Sequence, residues 1–173
     1  MAKEFLLVDG YNIIFAWPEL REISKYDLES ARVKLADILC NYQGFRKNEV
    51  ILVFDGYKSK GNPGSVIHYN NIDIVYTKEA QTADQFIEAV SWQMGKDFQI
   101  RVATSDATEQ MIILAGGAAR MSARELKREI EAADKEIKET YHKKKDNSRN
   151  RLMDNLSPEM AELLEKMRLD DRN

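Results

Sequence analysis

The chain has 173 residues, with 26 Lys+Arg against 29 Asp+Glu and a formal net charge of −3. That balance excludes a uniformly basic nucleic-acid coat but leaves room for a local basic surface. Hydrophobic residues make up 43% of the chain, enough for a buried core, and the lone Cys40 excludes an internal disulfide scaffold. The apolar run Phe5–Val8 is too short for a signal-peptide core, and no run is long enough to span a bilayer. A soluble cytoplasmic protein is expected.

Taken in order, the body alternates strand and helix signals. Phe5-Leu6-Leu7-Val8 reads as a strand buried on both faces. Leu28, Ala31, Leu35, Ile38, Leu39 and Tyr42 recur at helical steps. Val50 to Phe54 is a second buried strand. Val66–Tyr69 and Ile72–Tyr76, split by Asn70-Asn71, read as a hairpin or paired edge segments. Thr82 opens a helix with Gln85 in capping-box register, and Phe86, Ile87, Val90 and Met94 form its apolar face. Ile100–Ala103 is a third core strand. Met111, Ile112 and Leu114 belong to a helix that Gly116-Gly117 stops. Strands separated by helices imply a mostly parallel sheet.

The composition then shifts. Residues 1–120 carry 13 basic and 16 acidic side chains, whereas residues 121–173 carry 13 of each in less than half the length. The spacing divides the chain into a body, 1–120, and a charged helical extension, 121–173. Ser122 with Glu125 opens a long helix striped by Leu126, Ile130, Ala133, Ile137 and Tyr141. Ser157-Pro158 starts a last helix carrying Met160, Leu163, Leu164 and Met167.

The acids carry the chemistry. Asp9 follows the first strand, Asp55 the second, and Asp106 the third after Thr104-Ser105. Asp84 lies in the first turn of the helix opened by Thr82. In an open parallel sheet the carboxyl ends of the strands share one edge, where ligands bind. Each acid alone has a bland role as a turn residue, a cap or a macrodipole partner. Four coinciding at one edge suit Mg²⁺ or Mn²⁺, which take oxygen ligands, activate water and support phosphoryl displacement. Asn12 is placed to orient a carboxylate, a water or a phosphate. Glu88, four residues after Asp84 and on the same helical face, either joins this group or lies on its solvated rim.

Leu6-Leu7-Val8-Asp9-Gly10-Tyr11-Asn12 resembles the opening motif of NYN domains, a branch of the PIN-like nuclease superfamily. Val53-Phe54-Asp55-Gly56, Thr82-Ala83-Asp84 and Thr104-Ser105-Asp106 follow in that family's order, over roughly residues 4–120. Length and basic tail make the chain most similar to the YacP-like NYN proteins of bacteria, which include ribosome-associated endoribonucleases that cut messenger RNA. The resemblance implies an α/β, three-layer PIN-like (NYN) fold with a C-terminal helical extension. It also implies Asp9, Asp55, Asp84 and Asp106 as metal-binding catalytic acids, with Asn12 as their polar partner. Some members bind without cutting, so a non-catalytic RNA- or ribosome-binding adaptor stands as the alternative.

Two segments offer RNA contacts. Between Tyr141 and Arg151, Lys143, Lys144, Lys145, Arg149 and Arg151 face one acid, Asp146, a net +4 over eleven residues. The loop Gly56–Gly64 leaves the Asp55 strand end and carries Lys58 and Lys60. Cys40, Trp17 and Trp92 read as packing groups, and His68 has no zinc-ligand partner at the right spacing. The chain has no Walker loop and no dinucleotide fingerprint, so no small-molecule cofactor is expected. A flap-type DNA nuclease needs a longer helical arch than the 56–64 loop provides. Aspartyl-phosphate transferases place a second Asp two residues after the first, where this chain has Tyr11.

Overall fold

The computed structural model of the chain describes residues 3–56, 63–104 and 117–154, together with 159, 162, 163 and 165–167. Among them run β1 (Glu4–Asp9), α1 (Gly10–Ala16), α2 (Pro18–Tyr26), α3 (Leu28–Arg46), β2 (Glu49–Phe54), β3 (Ser65–Tyr69), β4 (Ile72–Tyr76), α4 (Ala83–Met94), β5 (Gln99–Ala103), β6 (Ala119–Met121) and α5 (Ala123–Asp154). The described strands form one sheet in the order β3-β4-β2-β1-β5-β6. Every neighbouring pair is parallel except β3–β4, the hairpin expected from Asn70-Asn71.

Side-chain alternation along the strands divides the core into two layers. Leu6 and Val8 of β1, with Val50, Leu52 and Phe54 of β2, pack against Ile13 and Ile14 of α1, Leu20 of α2 and Leu35 and Leu39 of α3. Leu7, Val53, Val75, Ile100 and Val102 face the other way, onto Ala83 and Ile87 of α4. This is the expected mostly parallel sheet flanked by helices. Burying each large aliphatic chain stabilises by about 1.5–3 kcal/mol, so β1, buried on both faces, is the centre of the fold.

Local signals set the helix ends. Thr82 and Gln85 form the reciprocal capping box expected of them, at 3.0 and 3.1 Å. Ser122 and Glu125 do the same at the start of α5, both bonds at 3.1 Å. Asp27 caps α3 by accepting from the Glu29 backbone N–H at 3.1 Å. Trp17 ends α1 and precedes Pro18 at the start of α2. Its buried indole N–H donates to the Ala123 carbonyl at 2.9 Å, which ties the start of α5 to that corner. Trp92, read from the sequence as a packing residue, is instead half exposed on the outer side of α4.

The compact units of the chain are Met1–Ala133 and Asp134–Asn173. The composition shift at 121 falls inside the first of these, because β6 pairs with β5 and Leu126, Ile130 and Ala133 are buried in its core. Arg101 reinforces this attachment. Its guanidinium reaches Glu4 at 3.1 Å and Glu129 at 2.5 Å, and the Tyr42 hydroxyl donates to Glu129 at 2.7 Å. In the second unit, the described side chains from Asp134 to Lys145 are exposed, Ile137 and Tyr141 among them. Leu163 and Met167 are exposed too, while Met160 and Leu164 lie outside the described residues. Among the described residues no helix is long and apolar enough to cross a membrane.

Candidate active site

Asp9 is the last residue of β1 and the N-cap of α1, so one side chain serves both elements. The helix can start this abruptly because residue 10 is glycine. A Cβ there would lie 2.3 Å from the Phe54 ring, a contact no side chain tolerates. Asp9 itself is only 5% exposed, unusual for a carboxylate.

Register brings the neighbours in. Val8 pairs with Ala103, so Asp9 lies level with Thr104 at the carboxyl end of β5. Asn12, one turn into α1, bridges the two. Its amide N–H₂ donates to Asp9 Oδ2 at 2.8 Å and to Thr104 Oγ1 at 3.1 Å. Thr104 is fully buried, and its backbone N–H is held by the Met121 carbonyl at 3.1 Å. Thr104, which the sequence marks only as part of the motif before Asp106, is an uncharged residue of the site. Its position straight after the third core strand was the available signal.

The first turn of α4 adds Asp84, whose carboxyl shares a hydrogen bond with that of Asp9. Burial, this hydrogen bond and the negative charge of Asp84 push the Asp9 carboxyl up from 3.8 to about 7, against the opposing hydrogen bonds from Asn12. Below that pH Asp9 holds the proton that the two carboxyls share. Above it, two like charges meet at one edge, an arrangement that calls for a cation. Asp84 is exposed, so the pair reaches from the interior to solvent.

The structure thus brings Asp9, Asn12 and Asp84 together, with Thr104. Asp55 stands exposed at the end of β2, one strand over and two residues beyond Val53, the partner of Asp9. Among the described residues no group of three His, Cys, Asp or Glu side chains is gathered closely enough to hold a metal ion. Asp106, Lys58 and Lys60 lie outside the described residues. Lys143, Lys144 and Lys145 are exposed on α5, and Arg149 and Arg151 lie further along the same helix. Glu88 is half-buried one turn after Asp84, and His68 pairs with Asp73 at 2.8 Å on the exposed hairpin.

The donor chemistry here fits a hard divalent cation. It consists of two carboxyls that repel once ionised, backed by the Thr104 hydroxyl and the Asn12 amide.

Comparison with known proteins places the chain among relatives. The model of the family described as the YacP-like NYN domain matches residues 6–169. The uncharacterized protein YacP of Bacillus subtilis (strain 168) is 41% identical over 141 residues, which cover 81% of this chain and 82% of that protein. The crystal structure of Rae1 (YacP) from Bacillus subtilis superposes with a TM-score of 0.69 at 38% identity, covering 96% of this chain and 95% of that one. A point-mutant form of the same protein gives 0.72 at 34% identity, covering 95% and 99%.

Proposed function

The chain belongs to the YacP-like NYN domain family, and from that premise we propose that it is a metal-dependent endoribonuclease that cuts single-stranded RNA, namely messenger RNA engaged with the ribosome. NYN domains are in general nucleases. The observation that carries the reading is the hydrogen-bonded carboxyl pair Asp9–Asp84, buried at one end and open to solvent at the other, at the carboxyl edge of a parallel sheet.

Asp9 and Asp84, with Asp55 and Asp106, would hold Mg²⁺ or Mn²⁺. Bound there, the cation would supply an activated water and screen charge on the phosphodiester. The remaining work falls to the chain itself. Asn12 fixes the rotamer of Asp9, and Thr104 fixes Asn12, so the carboxyl is held before substrate arrives. Burial keeps water from solvating Asp9 and strengthens every charge interaction at that edge. The basic run Lys143, Lys144, Lys145, Arg149 and Arg151, together with Lys58 and Lys60, would neutralise backbone phosphates and weaken in salt.

The test is cleavage of a messenger, with and without ribosomes, by wild type, Asp9→Asn and Asp84→Asn. The proposal expects cutting by wild type in Mg²⁺ or Mn²⁺, its loss in EDTA, and a fall of at least about a hundredfold in both variants. Equal cutting by all three overturns the site. The exposed lysines of α5 favour a second reading, an RNA- or ribosome-binding adaptor. Wild-type function in cells carrying Asp9→Asn would select it.

A further inference from the structure

A cavity of about 370 Å³ opens at the β3–β4 edge of the sheet, on the side covered by α4. Val66 and Val75 pair directly across the hairpin and, with Phe86 of α4, supply its apolar wall. Thr77, Lys78 and Gln81, from the connection between β4 and α4, supply its polar groups. The volume lies at the low end of ligand pockets, and the lining matches their usual composition, apolar walls with a few polar groups that fix orientation.

Its position ties it to the carboxyl pair. Thr77 is held at the carboxyl edge by two bonds to the end of β2. Its hydroxyl accepts from the Gly56 N–H at 2.8 Å, and its own N–H donates to the Phe54 carbonyl at 3.0 Å. The Thr77 hydroxyl donates onward to the Gln81 carbonyl at 2.7 Å, which closes the turn into α4. Only β2 separates β4 from β1, so the cavity lies about 10 Å from Asp9 by strand spacing. Phe86 stands two residues after Asp84, so the two side chains leave opposite flanks of α4, Asp84 at the carboxyl pair and Phe86 at the cavity.

We infer that this cavity is a nucleobase subsite, taking one splayed-out base of the single-stranded RNA whose phosphodiester lies at Asp9 and Asp84. This deepens the proposed function and rests on it for the origin of the strand. A base is flat and apolar on its faces and polar at its edge. Phe86 and the paired valines suit the faces, and the Gln81 amide, both donor and acceptor, suits the edge. Lys78, exposed at the mouth, is placed for a base carbonyl or the adjoining phosphate. A strand fixed at the carboxyl pair delivers its next bases at about this distance. A base-reading subsite would let the protein choose where along a strand it cuts.

The experiment is an NMR titration of the full chain, labelled at valine methyls, in EDTA so that RNA stays intact. The ligands are short oligoadenylate and oligouridylate, and an abasic ribose-phosphate oligomer of the same length. The inference expects at least one base-bearing oligomer to shift the Val66 and Val75 resonances and to bind about tenfold more tightly than the abasic one. Phe86→Leu, which keeps the apolar bulk and removes the aromatic face, should erase most of that tenfold preference. Gln81→Ala is the second variant and should reduce it. Equal affinity for all oligomers, no shift at Val66 and Val75, or an unchanged preference in Phe86→Leu overturns the subsite. Failure of the nuclease reading is seen separately, as Asp84→Asn cutting like wild type, and leaves the valine shifts in place.

Discussion

Two charged clusters sit on the strands β1 and β5, and they are built on opposite principles. Near the start of β1, Glu4 meets Arg101, which also meets Glu129, itself bonded to the Tyr42 hydroxyl. Unlike charges are matched there, and the consequences are consistent. The Glu129 carboxyl is held below its ordinary value by Arg101 and Tyr42 against the cost of burial, and burial together with Glu129 pushes the Tyr42 hydroxyl up to about 12. At the end of β1, burial and then the neighbouring acid Asp84 push the Asp9 carboxyl up to about 7. One cluster is satisfied by the chain alone. The other is completed by a proton or a cation. Like charges placed together inside a fold cost stability, and such costs concentrate where a protein binds or reacts.

Breaking the satisfied cluster should be the largest stability effect. Arg101→Met leaves Glu4 and Glu129 half-buried without their cation. We expect a loss of about 2–4 kcal/mol in urea unfolding, somewhat below the cost for a fully buried pair because the Arg101 side chain is 20% exposed. The effect should be seen without any change in divalent-cation affinity.

Breaking the unsatisfied cluster should act through pH, and the sign is opposite to that of an ordinary salt-bridged acid. The unfolded carboxyl of Asp9 ionises near 3.8 while the folded one holds its proton to about 7. Between those values the native state binds more protons, so stability falls as pH rises through the window and the penalty is complete above it. Asp9→Asn removes the penalty. Relative to wild type, it should gain stability between pH 4 and pH 8 by a few kcal/mol, read by urea titrations at both ends. A constant difference across that range would refute a carboxyl raised by burial and its acidic neighbour.

The smallest effect should come from the groups that position Asp9 without carrying charge. Thr104→Val removes the oxygen that accepts from Asn12 while keeping the shape. We expect roughly a tenfold loss in cleavage rate, at the low end for groups supporting a metal site, with the substrate KM unchanged. Thr104→Ser, which keeps the hydroxyl, should restore most of it.

Much of the scaffold was legible in the sequence because its signals are local. The runs Phe5–Val8 and Val50–Phe54 could only be buried strands, and both capping boxes formed as their spacing required. The helices α1 and α2 were not legible. Asp9-Gly10 reads equally as a turn, and only the Phe54 ring pressed against Gly10 explains the glycine. β6 is three residues long, too short for any period to register. The stripe Leu126–Tyr141 was visible, but not that burial stops at Ala133 while Ile137 is exposed, because a stripe predicts a helix and not its partner. Near the end of β1, Asp9 and Asp84 stood out in the sequence as acids at the carboxyl edge. Thr104 did not, and neither did Arg101, whose two carboxylate partners are 97 and 28 residues away.

The central claim is that the buried Asp9 and its neighbour Asp84 would, as a cation site, take up a metal ion in competition with a proton. Calorimetric titration of the full chain with Mn²⁺ at pH 6 and pH 8, in buffers of different ionisation heat, tests it most directly. The account predicts saturable binding by wild type, tighter at pH 8, with proton release at pH 6 as the shared proton leaves Asp9, and loss of both in Asp84→Asn. Equal Mn²⁺ affinity in wild type and Asp84→Asn, or binding with no proton release at pH 6, would contradict it.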